Sequence, residues 1–304
     1  MDATTAARRW RRLSGSGLAW LTAYPVHQVA TVCYVDVACR PDRVEVLTEQ
    51  LRRWSCVFDL GRSSGEHQLL LGVAAASLPA LDAFLTRGLG RLDGVRSLRS
   101  GVALRVYREG SDWTAGSLAA DQRSLLAADG RTGEGGGPVA LREADRQLLL
   151  ALGADARSSC AELARRCGLG ETTVRRRLRR MERHHEILFR CDFAPLHAGW
   201  PVAATYRLRV PSHRVEEVAR TLAAMPESRL CAAVTGTANL RLILWLRSPD
   251  GCRSLEDRIA ARCPEAEVVE RDITLYTAKR MGRLLDRRGR AVGHVPVTAW
   301  PRCL

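Results

Sequence analysis

Residues 160–183 read CAELARRCGLGETTVRRRLRRMER. Cys160, Leu163, Ala164 and Cys167 recur at i, i+3, i+4 and i+7, which is one face of a helix. Gly168 follows, and glycine accepts the left-handed conformation that a sharp turn requires. A second helix then places Val174, Leu178 and Met181 in one narrow apolar stripe. Thr172, Arg175, Arg176, Arg179, Arg180 and Arg183 fall on its other side. Two short helices, a glycine turn and a cationic second helix are the layout of a helix-turn-helix DNA reader. Residues in the first turns, Thr172, Thr173, Arg175 and Arg176, reach base edges, while Arg179, Arg180 and Arg183 meet phosphates. The competing reading is a solvated surface helix in an arginine-rich chain, since 46 of 47 basic residues are arginine and Lys279 is the single lysine. Against it, five arginines lie between Arg175 and Arg180 with no acid among them, where a solvated helix normally alternates its charges.

The wider composition agrees. The chain has 304 residues and a net charge of +14, which points to a polyanionic partner, with double-stranded DNA ahead of an anionic membrane surface. No segment approaches the ~18 apolar residues of a membrane span. Leu69–Leu81 is the longest apolar stretch, and Gly72, Ser77 and Pro79 interrupt it. Arg8-Arg9 before a short apolar run imitates a twin-arginine export signal, but Tyr24-Pro25 and the lack of an Ala-x-Ala site argue against export. None of the ten cysteines forms a C-x-x-C pair, so free thiols in a reducing cytoplasm are expected. His184-His185 near Cys191 reads as structural, because adjacent residues at a helix end point apart. Neither a metal site nor a cofactor is expected.

The chain also repeats itself. Arg43-Val44-Glu45 lines up with Arg214-Val215-Glu216, 171 positions on, and Gly65 and Leu69-Leu70-Leu71 line up with Gly236 and Leu240-Arg241-Leu242 at the same offset. Each copy reads β-α-β-β-α-β, the ferredoxin-like plan. The second copy has strands over 203–210, 229–234, 240–246 and 267–279. Its helices cover 213–225, capped by Ser212, and 249–263. The first copy has strands near 30–37, 56–60, 68–74 and 96–107, with helices near 42–53 and 78–88. A sheet covered on one face leaves the other needing a partner, so pairing between copies or between chains is expected. Val32, Tyr34 and Ala38 supply an apolar face in one copy, and Thr205, Leu208 and Val210 spread over both faces of the other. Carried upstream, the offset maps Val174, Leu178 and Met181 onto Ala3, Ala7 and Trp10. The chain is therefore expected to begin inside a recognition helix whose own first module is missing, the alternative being a basic tail of chance similarity.

The expected organisation is an α+β chain. A recognition-helix remnant covers 1–14, a first ferredoxin-like domain 15–113, and a linker 114–140 with a short helix at 117–129. A three-helix, winged-type DNA-binding domain follows at 141–190, then a second ferredoxin-like domain at 191–286 and a tail at 287–304.

This combination resembles the Lrp/AsnC feast/famine regulators. The matching residues are Asp145-Arg146-Gln147-Leu148-Leu149, Ala161–Arg166, Gly168-Leu169, Thr172–Leu178, Ala233–Gly236 and Lys279-Arg280. The resemblance implies a sequence-specific transcriptional regulator whose sheet domains pair protomers into a homo-oligomer and sense an amino acid or related metabolite. It would place Thr235, Gly236 and Asn239 at the effector. Asn239 here, and Gln68 in the other copy, stand where the family commonly has an acid, and a glycine turn with only a structural role is the alternative. Two further functions compete. One is a ligand or oligomerisation module that has lost DNA binding. The other is an enzyme similar to sirohaem decarboxylases, which share the two-module plan and use histidines. Here only His67, His197 and His213 are candidates, with no partnered acid–base constellation, so no catalytic residue is assigned.

Overall fold

Equivalent elements recur in two halves, and the computed structural model describes them over residues 2–25, 30–113 and 141–298. The first half runs α1 (Ala3–Gly15), β1 (Ala19–Pro25), β2 (Thr31–Cys39), α2 (Val44–Leu51), β3 (Val57–Ser63), β4 (Leu69–Ala75), α3 (Leu78–Ala83) and β5 (Val95–Arg108). The second opens with three helices, α4 (Glu143–Ala154), α5 (Cys160–Cys167) and α6 (Glu171–Arg183). It continues with β6 (Ile187–Phe193), β7 (Val202–Arg209), α7 (Val215–Ala223), β8 (Ser228–Val234), β9 (Leu240–Leu246), α8 (Gly251–Arg262) and β10 (Glu267–Arg280). A terminal hairpin follows, β11 (Arg283–Leu285) and β12 (Ala291–His294).

Each copy is a four-stranded antiparallel sheet, β3-β4-β2-β5 and β8-β9-β7-β10. The sheets join at both edges, because β5 pairs with β8 and β10 pairs with β3. Eight strands thus close into a ring with no open edge. The two junctions match residue by residue. Ala103 opposes Val234 and Thr274 opposes Ser63, Arg105 opposes Ala233 and Tyr276 opposes Arg62, each pair being the other shifted by 171 positions. The expected pairing of sheet domains therefore occurs within one chain.

Strand alternation sorts the side chains. Odd residues of β2, Cys33, Val35 and Val37, enter the first core beneath α2 and α3 with Leu47, Leu51, Leu71 and Phe84. Ala204, Tyr206 and Leu208 enter the second core with Val218, Leu222, Leu255 and Ile259. Leu208 and Val210 consequently belong to the helix-covered core. The opposite face of β7 carries Thr205 and Arg207, both buried, so the surface between the sheets is partly charged, a correction to the apolar one expected.

Other expectations shift at boundaries. Ser212 is no helix cap: it lies in a short 3-10 turn, and Arg214 occupies the N-cap position of α7. The hairpin β11–β12 crosses the expected limit between domain and tail and extends the sheet from β10. A helix at 117–129 lies outside the described residues. Joining the halves is a two-stranded ribbon that the sequence reading left unassigned: β1 pairs antiparallel with β6, from Ala19 opposite Phe193 to Pro25 opposite Ile187. No helix among the described residues is long and apolar enough to cross a membrane.

Candidate nucleic-acid interface and interior cavity

Local chemistry fixes the three-helix module. Ser159 caps α5, its Oγ accepting from the Glu162 N–H at 3.2 Å while the Glu162 carboxylate accepts from the Ser159 N–H at 2.8 Å. Gly168 ends α5 at φ 64°, the left-handed conformation anticipated from sequence. Beneath α6, Val174 and Met181 are fully buried with Leu148, Leu152 and Leu163.

The outer face of α6 gathers Thr172, Arg175, Arg176, Arg179 and Arg183 along one shallow surface with Glu182. All of them are exposed, and Thr173 is half-buried beside them. Arg175 pairs with Glu171 at 2.8 Å one turn back, both in solvent. Arg180 is a correction. Its guanidinium turns inward, 3.0 Å from Asp145 and 2.8 Å from Glu186. Arg177 reaches the same Asp145 carboxylate at 2.9 Å. Asp145 is fully buried, so these two arginines compensate an anion placed under the helix. The sequence signal for this was available: Asp145, Leu148 and Leu152 share the inward phase of α4.

The turn between β8 and β9 meets the middle of β5. The Thr235 hydroxyl accepts from the Val102 N–H at 3.0 Å. The Asn239 amide is engaged at both ends, accepting from the Val210 N–H at 2.9 Å and donating to the Val210 carbonyl at 2.8 Å. Gln68 does the equivalent in the first copy, accepting from the Cys39 N–H at 2.8 Å. Gly236 adopts φ 117°, which explains a glycine there without a ligand.

Between the sheets lies a buried ionic layer that the sequence reading missed. Asp36 receives Arg207 at 2.7 Å, Arg241 at 3.0 Å and Arg99 at 3.3 Å. Burial alone would raise its carboxyl, but Arg241, Arg207 and Arg99 outweigh burial and hold it below the usual range. Arg207 also reaches Asp272 at 2.5 Å, and Arg99 reaches Glu270 at 2.6 Å.

Further along the interior, a cavity of about 160 Å³ opens between the sheets and is lined by both copies and by the ribbon. Tyr34, Phe58, Ile243 and Trp245 form much of its wall. At its polar end Asp192 serves two guanidiniums, Arg190 at 2.6 Å and Arg229 at 2.8 Å. Arg280 stands beside them over the Trp245 ring, 5.0 Å from its centroid. His67 lies elsewhere, 3.3 Å from Arg99, and His197 and His213 are exposed.

Residues 143–182 match the AsnC-type helix-turn-helix domain, and residues 32–113 match the Lrp/AsnC ligand binding domain. An uncharacterized HTH-type transcriptional regulator of Pyrococcus furiosus is 30% identical over 145 residues, covering 47% of this chain and 96% of the relative. The chain belongs to the Lrp/AsnC family. A second uncharacterized HTH-type regulator, from Pyrococcus abyssi, is 33% identical over 110 residues, 36% of this chain and 70% of the relative. As an Lrp/AsnC chain carrying both modules, it is a DNA-binding transcriptional regulator. Its whole two-copy fold is also similar to the siroheme decarboxylase NirDL, crystallised with an iron-uroporphyrin III analogue. That likeness covers 92% of this chain and 83% of NirDL, with a TM-score of 0.62 and 12% identity.

Proposed function

We propose that this regulator reads operator DNA through the outer face of α6. Thr172, Thr173, Arg175 and Arg176 meet base edges, and Arg179 and Arg183 meet phosphates. The observation that carries the reading is the single exposed surface formed by five of these side chains, with an apolar stripe beneath. Binding is expected to fall steeply with salt, because each neutralised phosphate releases condensed counterion. Replacing Arg179 and Arg183 by alanine should weaken all sequences alike and flatten the salt slope by roughly one unit per contact. Replacing Thr173 or Arg176 should instead change the preferred sequence, by about 1–3 kcal/mol per base contact. Fluorescence anisotropy across a salt series checks both, and an unchanged slope in the double variant rejects the assignment.

A protein that reads chromosomal DNA works in the cytoplasm. Among the described residues there is one complete reader, so a twofold operator would need two chains. Their association would use surfaces outside the closed ring, and light scattering reads it. An amino acid or related metabolite is the effector this family reading favours. At the turn Thr235–Asn239 it would meet backbone groups beside Gly236, with the Thr235 oxygen and one N–H and the oxygen of the Asn239 amide already engaged.

The whole-chain likeness to NirDL is what favours an enzyme instead. We infer a non-enzymatic role, because His67, His197 and His213 do not line the interior cavity and its volume suits one ring rather than a macrocycle of four. A Soret band on adding a haem precursor would overturn this.

A further inference from the structure

Arg280 is a buried charge with little compensation among the described residues. It is 8% exposed, and its Nη1 has no hydrogen-bond partner among the described residues. Its Nη2 reaches only the Thr277 hydroxyl, at 3.4 Å. The nearest acids do not make up the deficit. Asp192 is shared by Arg190 and Arg229. Asp59 already accepts the Met281 N–H at 2.9 Å, and burial holds its carboxyl above the usual range despite Arg190 and Arg280 nearby. Burial likewise pulls the Arg280 guanidinium below its ordinary range, as happens when a buried cation lacks an equal counter-charge. A guanidinium edge in this condition fits a carboxylate, which can accept from two N–H groups at once.

The rest of the wall is largely apolar, with Asp59, Glu109, Arg190, Arg229, Arg241 and Lys279 also lining it, and the space is sized for one ring. About 160 Å³ is close to the ~150 Å³ of an engineered protein cavity that holds benzene. Gly72 supplies part of the room: a Cβ there would sit 2.4 Å from the Phe58 ring, so the ring lies flat on the strand. The equivalent position in the second copy is Ile243. The site is single and asymmetric, because Phe58, Ala74 and Glu109 of one copy stand where the other has Arg229, Trp245 and Arg280.

We propose that this cavity binds one small aromatic carboxylate per chain, its carboxylate on Arg280 and its ring among Tyr34, Phe58 and Trp245. This site is separate from the glycine turn. Its place also gives a route to the DNA reader. Tyr24 of β1 and Arg190 of β6 line it, and the Thr22 hydroxyl of β1 donates to the Gly153 carbonyl in α4 at 2.9 Å. That coupling rests on the regulator reading; occupancy of the cavity does not.

The full chain, without DNA, is titrated calorimetrically with benzoate, phenylacetate, benzyl alcohol and leucine. One equivalent of benzoate or phenylacetate should bind, with benzyl alcohol and leucine at least tenfold weaker. Arg280→Gln should weaken the carboxylate at least tenfold, and Ala74→Leu, which fills the cavity without touching the charge, should do the same. The proposal is overturned if neither carboxylate binds below millimolar concentration, if benzyl alcohol binds as well as benzoate, or if either folded variant binds like the parent. Should Arg280→Gln fail to fold, Ala74→Leu carries the decision. DNA affinity measured without ligand tests the α6 assignment separately, so the two readings fail independently.

Discussion

Asp36 in the first copy and Arg207 in the second occupy equivalent positions, 171 residues apart, and they touch at 2.7 Å. Arg99 and Glu270 are equivalent in the same way and touch at 2.6 Å. In an assembly of two identical copies, each such position would face its own like charge across the axis. Joining the copies in one chain removes that restriction, and here equivalent positions carry opposite charges while the backbone registers at the two junctions stay the same. The readers differ more sharply still. The second copy has all three helices, whereas among the described residues of the first only α1 corresponds, with Trp10 beside Arg157, 5.5 Å from guanidinium to ring centroid. The comparison separates what pairing requires, namely strand register, from what became free to diverge, namely the interior chemistry.

The largest expected effect comes from breaking that complementarity. Asp36→Ala leaves Arg207 and Arg241 buried with less compensation and should cost about 3–5 kcal/mol in urea unfolding. Exchanging the charges with Asp36→Arg and Arg207→Asp together should recover part of the loss, since Arg241 and Asp272 still favour the native arrangement. If the exchange is no better than the single variant, the pairing across the axis is not what stabilises the ring. The pH dependence has a definite sign. The folded pKa of Asp36 lies below its ordinary value of 3.8, so its contribution is present above that value. It is lost as pH falls from about there through the depressed folded pKa. Asp36→Asn should therefore lower stability at neutral pH and flatten the acid limb of the stability curve.

A middle-sized effect separates the two sides of α6. Arg180→Ala removes one of two cations from the buried Asp145 and should cost about 1–3 kcal/mol of stability, while the salt slope of DNA binding stays that of the parent. Arg179→Ala should do the reverse. The smallest effect tests whether α1 retains a share of DNA binding. Replacing Arg8, Arg9 and Arg12 by alanine should weaken DNA affinity less than replacing Arg179 and Arg183. An equal or larger loss would mean that α1 contributes as a second basic contact.

The strands and helices were legible because hydrophobic period and the 171-residue repeat both report backbone plan. Arg43-Val44-Glu45 and its counterpart were enough to align two copies. The helix-turn-helix was legible through Gly168 and the apolar stripe. Arg180 was misjudged because a helical wheel places it near the boundary between faces. Which way a long side chain turns there depends on Asp145, 35 residues away. The β1–β6 ribbon escaped notice because each strand is short and finds its partner about 170 residues off. The interior cavity left a weaker trace. Opposite charges at aligned positions, Asp36 with Arg207 and Glu109 with Arg280, mark the facing surfaces, but only when the repeat is read as a contact map and not as ancestry.

The closed ring also sets an order of events during synthesis. Strand β3 cannot complete its pairing until β10 exists, and these strands lie more than 200 residues apart in the chain. At ribosomal rates of ~5–20 residues per second, β3 waits roughly 10–40 seconds with its outer edge open to water. During that interval two nascent chains on one messenger could exchange copies, each closing the other's ring. Mispairing of that kind would be most frequent when translation slows between the first sheet and the second.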